Sequence, residues 1–154
     1  MAENTDLAEV IAVHKKWLPK MEDSPVSDLK KKPKPNILLI VSEDNGPELG
    51  CYGEPFAQTP NLDELAKNGV LFEQAYVPQA GCSQSRAALL TGLYPHQNGQ
   101  IGLATWKFGL YREDTPNLIR SLKRVGYRTG IVGKLHINPE SAFPFDFRAI
   151  PSAN

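Results

Sequence analysis

Asn36 to Val41 read NILLIV, and Ser42 to Gly46, directly after, read SEDNG. A continuous apolar, β-branched run shows no alternation of faces. It predicts a strand buried on both sides, as in a parallel sheet. Two adjacent carboxylates, Glu43 and Asp44, then stand at its carboxyl end, the edge where open α/β sheets place their sites. Hard oxygen donors of this kind suit Ca2+ or Mg2+. The same letters also compose an acidic turn with Asn45-Gly46 at its tip, and alone they favour that turn.

Working outward, strands and helices alternate. TPNLDELAKNG (59–69) offers Thr59 as cap, Pro60 at the first helical position and Gly69 at the stop. VLFEQAYV (70–77) reads as the next strand. GCSQSRAALLTGL (81–93) predicts a helix from Ser85 that ends at Thr91-Gly92, with Cys82 just before its mouth. DTPNLIRSLKRVG (114–126) predicts a second capped helix, with Thr115 or Asp114 as cap and Gly126 at its end. TGIVG (129–133) is a further short buried strand. The repeated TPNL at Thr59 and Thr115 is shared capping chemistry rather than an internal repeat, because the following residues diverge. This order gives an α/β domain with a mainly parallel sheet.

Ahead of that domain, Leu7, Val10, Ile11, His14, Trp17 and Leu18 share one face at helical spacing, so residues 5–18 predict an amphipathic helix. Pro19 stops it, and the charged, proline-broken stretch to Pro35 has the composition of a linker. The division expected is therefore 1–34, helix and linker, and 35–154, the domain proper.

The 154 residues carry 17 basic and 17 acidic side chains, a balance that argues against a nucleic-acid or membrane-surface binder. Two cysteines, Cys51 and Cys82, are too few for a disulfide framework, and no zinc-type spacing joins them. The acidic N-terminal start shows no signal-peptide run, so the compartment stays open. No segment approaches the ~20 apolar residues that cross a bilayer.

The chemistry gathers at two further places. At a helix mouth, free N–H groups and the helix dipole favour an anion, and Arg86, four residues after Cys82, returns toward the same spot across one turn. A small buried cysteine would look the same. A phosphatase-type cysteine wants arginine six positions on, where Ala88 stands. In GYRTGIVGKLH (126–136), Lys134 and His136 follow a predicted strand. Two apart on an extended segment, they point to one face and can reach one anion.

These motifs together resemble the sulfatases. Cys82, Ser85, Arg86, Leu90, Thr91 and Gly92 match the Cys-x-Pro-Ser-Arg signature with its Leu-Thr-Gly helix end, and 126–136 is similar to the family's second signature. Gln84 stands where the family has proline or alanine, a position that maturation enzymes read. The resemblance implies that Cys82 is oxidised to formylglycine by such an enzyme. The hydrated aldehyde then attacks the sulfur of a sulfate ester or sulfamate, with Arg86, Lys134 and His136 handling the sulfate. It also implies a divalent cation, Ca2+ or Mg2+, on Glu43, Asp44 and the matured Cys82, glutamate replacing the usual first aspartate. The implied fold is the alkaline-phosphatase-like three-layer α/β sandwich, incomplete in this chain because members are much longer. YPHQNGQIGL (94–103) and NPESAFPFDF (138–147) look like the N-sulfoglucosamine sulfohydrolase branch, which implies a sulfated carbohydrate substrate. His96 in the first of these is equally a turn residue.

Relatives are usually periplasmic, secreted or lysosomal. Their remaining metal ligands lie downstream of Lys134, so a truncated or misjoined reading frame is the expectation, with negligible turnover by this chain alone. A phosphodiesterase or phosphonate hydrolase of the same superfamily, or a non-catalytic remnant, are the alternatives.

Overall fold

The computed structural model describes residues 34–150. The chain divides into two compact units, Met1–Val41 and Ser42–Asn154. The predicted helix at 5–18 and the linker up to residue 33 lie outside the described residues.

Of the first unit, residues 34–41 are described. NILLIV is not a ladder strand: Asn36 to Val41 pair with no strand among the described residues, and Leu38 and Ile40 are 85% and 80% exposed. The physical reason is general. A strand apolar on both faces is stable only with ladder partners at its edges and cover on its faces, and residues 34–41, the described part of this unit, supply neither by themselves.

In the second unit a 3-10 turn, Gly50–Tyr52, precedes α1 (Pro60–Asn68), α2 (Cys82–Thr91), the single turn α3 (Pro95–Asn98) and α4 (Leu118–Arg124). Strand β1 (Gly130–Val132) pairs in parallel with β2 (Phe147–Ala149), Ile131 opposite Arg148. Further 3-10 turns, Ala104–Trp106 and Glu140–Ala142, lie in the connections. The observed architecture is thus helices with a small parallel sheet. Residues 70–77, expected as a strand, form none, and their apolar side chains Val70, Phe72, Tyr76 and Val77 stay exposed. The β1 strand expected in TGIVG forms, but with Val132 at its edge exposed rather than buried. Its partner β2 had no visible signal in the sequence.

The helix grammar is kept with two shifts. Pro60 opens α1 and Gly69 closes it, as expected. The Thr59 hydroxyl, however, accepts from Gly50 N (2.9 Å) and donates to Asp63 Oδ1 (2.9 Å), so it stitches the 3-10 turn to the helix rather than capping its own backbone. In α4 the cap is Asn117, whose Oδ1 accepts from Arg120 N at 3.1 Å, not Thr115 or Asp114. Those two are used elsewhere: Thr115 Oγ1 donates to Arg112 O, and Asp114 pairs with the Arg112 guanidinium. Gly126, at φ 85°, follows the end of α4 and donates to Lys123 O at 2.9 Å.

The core joins α2, α4 and the chain after β1. Ala87, Leu110, Ile119, Leu135, Ile137, Ala142 and Phe143 are its buried members, with Leu90, Ile131, Phe145 and Ile150 packed against them. Burying a side chain such as Leu135, Ile137 or Phe143 contributes about 1.5–3 kcal/mol. A polar seam runs beside this core. Fully buried Gln100 donates to Gly102 O and Phe108 O and accepts from Asn138 N, while Ser83 Oγ accepts from Ala104 N at 2.9 Å. Because every one of these partners is backbone, the seam fixes where the chain runs.

Candidate active site

Three stretches far apart in sequence meet at one place. The first is the loop Ser42 to Asn45, closed by a hydrogen bond from Ser42 Oγ to Asn45 Oδ1 at 2.9 Å. Asp44 sits there at φ 53°, a left-handed conformation that Asp tolerates better than most residues. The second is the start of α2. Its N-cap is Gly81, so Cys82 is the first helical residue, one step inside the helix rather than before it. The third is the segment Lys134 to Ile137.

The contacts are direct. Cys82 Sγ donates to Asp44 Oδ1 at 3.7 Å. Arg86, one turn further along α2, donates from Nη1 to the Lys134 carbonyl at 2.7 Å. Lys134 Nζ in turn donates to Glu43 Oε1. Sequence reasoning placed Lys134 and His136 on one extended face. The segment is not extended: His136 has φ 55°, because Leu135 and Ile137 on either side are both drawn into the core. His136 nevertheless lies within electrostatic reach of Glu43, Lys134 and Arg86.

The charges respond to one another. The Lys134 hydrogen bond first, then the positive charges of Lys134, Arg86 and His136, hold the Glu43 carboxyl below its ordinary range against a partial desolvation. Burial chiefly, and then Lys134 and Arg86, push the His136 imidazole below its ordinary value, with Glu43 opposing. Proton uptake by His136 is thereby disfavoured. Its Nδ1 is buried with no hydrogen-bond partner among the described residues.

One ligand atom each of Glu43, Asp44 and Cys82 lie within 4.8 Å of one another. The two carboxylates fit a hard divalent cation such as Ca2+ or Mg2+. The thiol does not, being a soft donor, whereas an oxygen at that position would suit the same cation.

Other expectations resolve differently. His96 is exposed and stacks on Tyr94 with ring centroids 5.8 Å apart, and no contact among the described residues links it to the cluster. The polar work in that turn is done by Asn98 Nδ2, which donates to Leu93 O and Thr91 Oγ1. Gln84 is 7% exposed and donates from Nε2 to Ile101 O at 3.4 Å. Sequence reasoning missed the hold of Arg86 on the Lys134 backbone, and also the Ser83, Gln100 and Asn138 seam. Only the Asn138 and Gln100 side chains within apolar surroundings could have signalled the latter.

A cysteine in the first turn of a helix, an arginine one turn on, and a lysine hydrogen-bonded to one of two adjacent carboxylates thus gather at one place. The sulfatase family model matches residues 35–149, and the chain belongs to the sulfatase family. It is 43% identical over 116 residues to human N-sulphoglucosamine sulphohydrolase, covering 73% of this chain and 22% of that protein. Human arylsulfatase A is 44% identical over 115 residues, covering 71% and 22% respectively. N-acetylgalactosamine-6-O-sulfatase of Bacteroides thetaiotaomicron is 38% identical over 124 residues, covering 78% and 24%. The chain thus spans about a fifth of the length of these relatives. No helix among the described residues is long and apolar enough to cross a membrane.

Proposed function

We propose that this chain carries the nucleophile and the sulfate-binding groups of a sulfatase that hydrolyses sulfate esters or sulfamates. Residues 35–154 are read as the N-terminal part of an alkaline-phosphatase-like three-layer catalytic domain, with 1–34 as helix and linker ahead of it. The observation that carries the reading is the chain of contacts Asp44 to Cys82, Arg86 to Lys134 O, and Lys134 to Glu43. When present, formylglycine at Cys82 supplies an oxygen nucleophile and a divalent cation on Glu43 and Asp44 supplies a Lewis acid.

The chain's own residues do the rest. Arg86 and Lys134 bring fixed positive charge to a sulfate, and that charge counts for more as negative charge develops on the reacting group. His136, its proton uptake disfavoured by burial and by Lys134 and Arg86, can serve as a hydrogen-bond partner or proton acceptor for a group bound beside them. Gln84, buried against Ile101 O, leaves Ser85 and Arg86 as the intact part of the motif that a formylglycine maturation enzyme reads.

The substrate class favoured is a sulfated carbohydrate, with an N-sulfated glucosamine as the first choice. Supporting it are the HQNG and FPFDF stretches and the name of the human sulphohydrolase relative. The test is sulfate release by the protein produced with a formylglycine maturation enzyme. Release from N-sulfoglucosamine is the expected result. Activity on O-sulfated sugars alone overturns the substrate choice, and activity on phosphate diesters alone overturns the sulfatase reading. Binding of a sulfated sugar without turnover by the 154-residue chain supports a non-catalytic role for it in isolation.

A further inference from the structure

Glu43 serves two partners. Its carboxylate accepts from Lys134 Nζ, and it is also half of the carboxylate pair that fits a hard cation beside Cys82. An ammonium and a divalent ion at one carboxylate repel each other, and both draw on the same oxygen lone pairs. Full occupation by one therefore weakens the other.

The architecture decides which of them moves. The Lys134 backbone is pinned, with its carbonyl held by Arg86 Nη1 at 2.7 Å and the next residue, Leu135, 1% exposed in the core. Ile137, also 1% exposed, anchors the far side of His136. The Lys134 side chain, paired with Glu43, is not packed in this way: it is 39% exposed on a flexible four-carbon stem. Its Nζ can leave Glu43 while the rest of the segment stays in place.

We propose that Lys134 is a resident counter-ion for Glu43 which a divalent cation displaces, and that displacement releases the ammonium for an anion held beside Arg86 and His136. Cation and sulfate then bind cooperatively, each raising the affinity for the other by the same factor. This inference rests on reading the site as one for a metal and a sulfate.

The experiment is calorimetric titration of the 154-residue chain with Ca2+ alone, in wild type and variants. Lys134→Met is expected to bind Ca2+ about two- to fivefold tighter, the fold-change equivalent of a partly exposed ion pair. Lys134→Arg, which can still pair with Glu43, is expected near wild type. Lys107→Met removes an equal charge from an exposed turn and is expected to change nothing. As a second readout, acetylation of Lys134 followed by peptide mass spectrometry is expected to quicken at saturating Ca2+. Unchanged or weaker binding by Lys134→Met, with Glu43→Gln still lowering Ca2+ affinity, overturns the counter-ion role and leaves the metal reading standing. Ca2+ binding that is absent, or indifferent to Glu43→Gln and Asp44→Asn, overturns both.

Discussion

The two halves of the site are built in opposite ways. The cationic half, Arg86 with Lys134 and His136, rides on elements packed into the core: Ala87 follows Arg86, and Leu135 and Ile137 flank His136, all at 1% exposure or less. The acidic half, Glu43 and Asp44, sits on an exposed loop whose own hydrogen bond joins Ser42 to Asn45. Packing therefore positions the cations. Contact with those cations and with Cys82 positions the acids. Groups held by packing resist changes of charge but not of volume, and the reverse holds for the loop.

The largest effect that could break this contrast is a cavity under the cationic half. Leu135→Ala is expected to destabilise the fold by about 2–5 kcal/mol in chemical denaturation, the cost of an unfilled core site. A loss below 1 kcal/mol would mean that the Lys134 to Ile137 segment is not anchored by its neighbours. Next comes Asn117, whose side chain caps α4 and donates to Thr115 O and Ala142 O in a buried setting. Asn117→Ala is expected to cost about 1–3 kcal/mol through the lost cap and the stranded carbonyls.

Acid gives a smaller effect that sharpens the comparison. Asp146 is held down to about 2, first by the Lys123 hydrogen bond and then by Thr129 N. A carboxyl lowered on folding stabilises above its unfolded value and loses that contribution as pH falls through its folded one. The Asp146 contribution should therefore vanish between the ordinary 3.8 and about 2. For His136 the imidazole is lowered, so the unfolded chain binds the proton more readily. Stability should be complete above the ordinary 6.5 and decline as pH drops below it. His136→Gln should remove that upper step and leave the Asp146 step intact, which denaturation midpoints across pH would show. Smallest of all is Glu43→Gln: it should leave the thermal midpoint within measurement scatter, because exposed ion pairs add little to stability.

How much was legible followed from range. Helix ends written in local chemistry, Pro60 and Gly69 for α1 and Gly92 for α2, were readable because each acts within one turn. The Asn117 cap escaped because Thr115 and Asp114 carry the same capping oxygens, and only the contact with Ala142 O singles out Asn117. Residues 36–41 and 70–77 read as strands from composition, yet a strand is a relation between segments and composition names no partner. For the mirror reason β2 was invisible: FRA has no strand pattern and is set by its register with Gly130 to Val132. Candidate site residues stood out through their resemblance to a known signature. Their mutual contacts did not, since Lys134 reaches Glu43 only after the core has bent the chain at His136.

The central claim is that Cys82 is the precursor of the nucleophile. Peptide mass spectrometry across Ala80 to Arg86, on protein from its native host, tests it most directly. The expected result is a fraction of the peptide lighter by about 18 Da, the change from thiol to aldehyde. An intact thiol in every copy of a protein that hydrolyses sulfated substrates at full rate would contradict it.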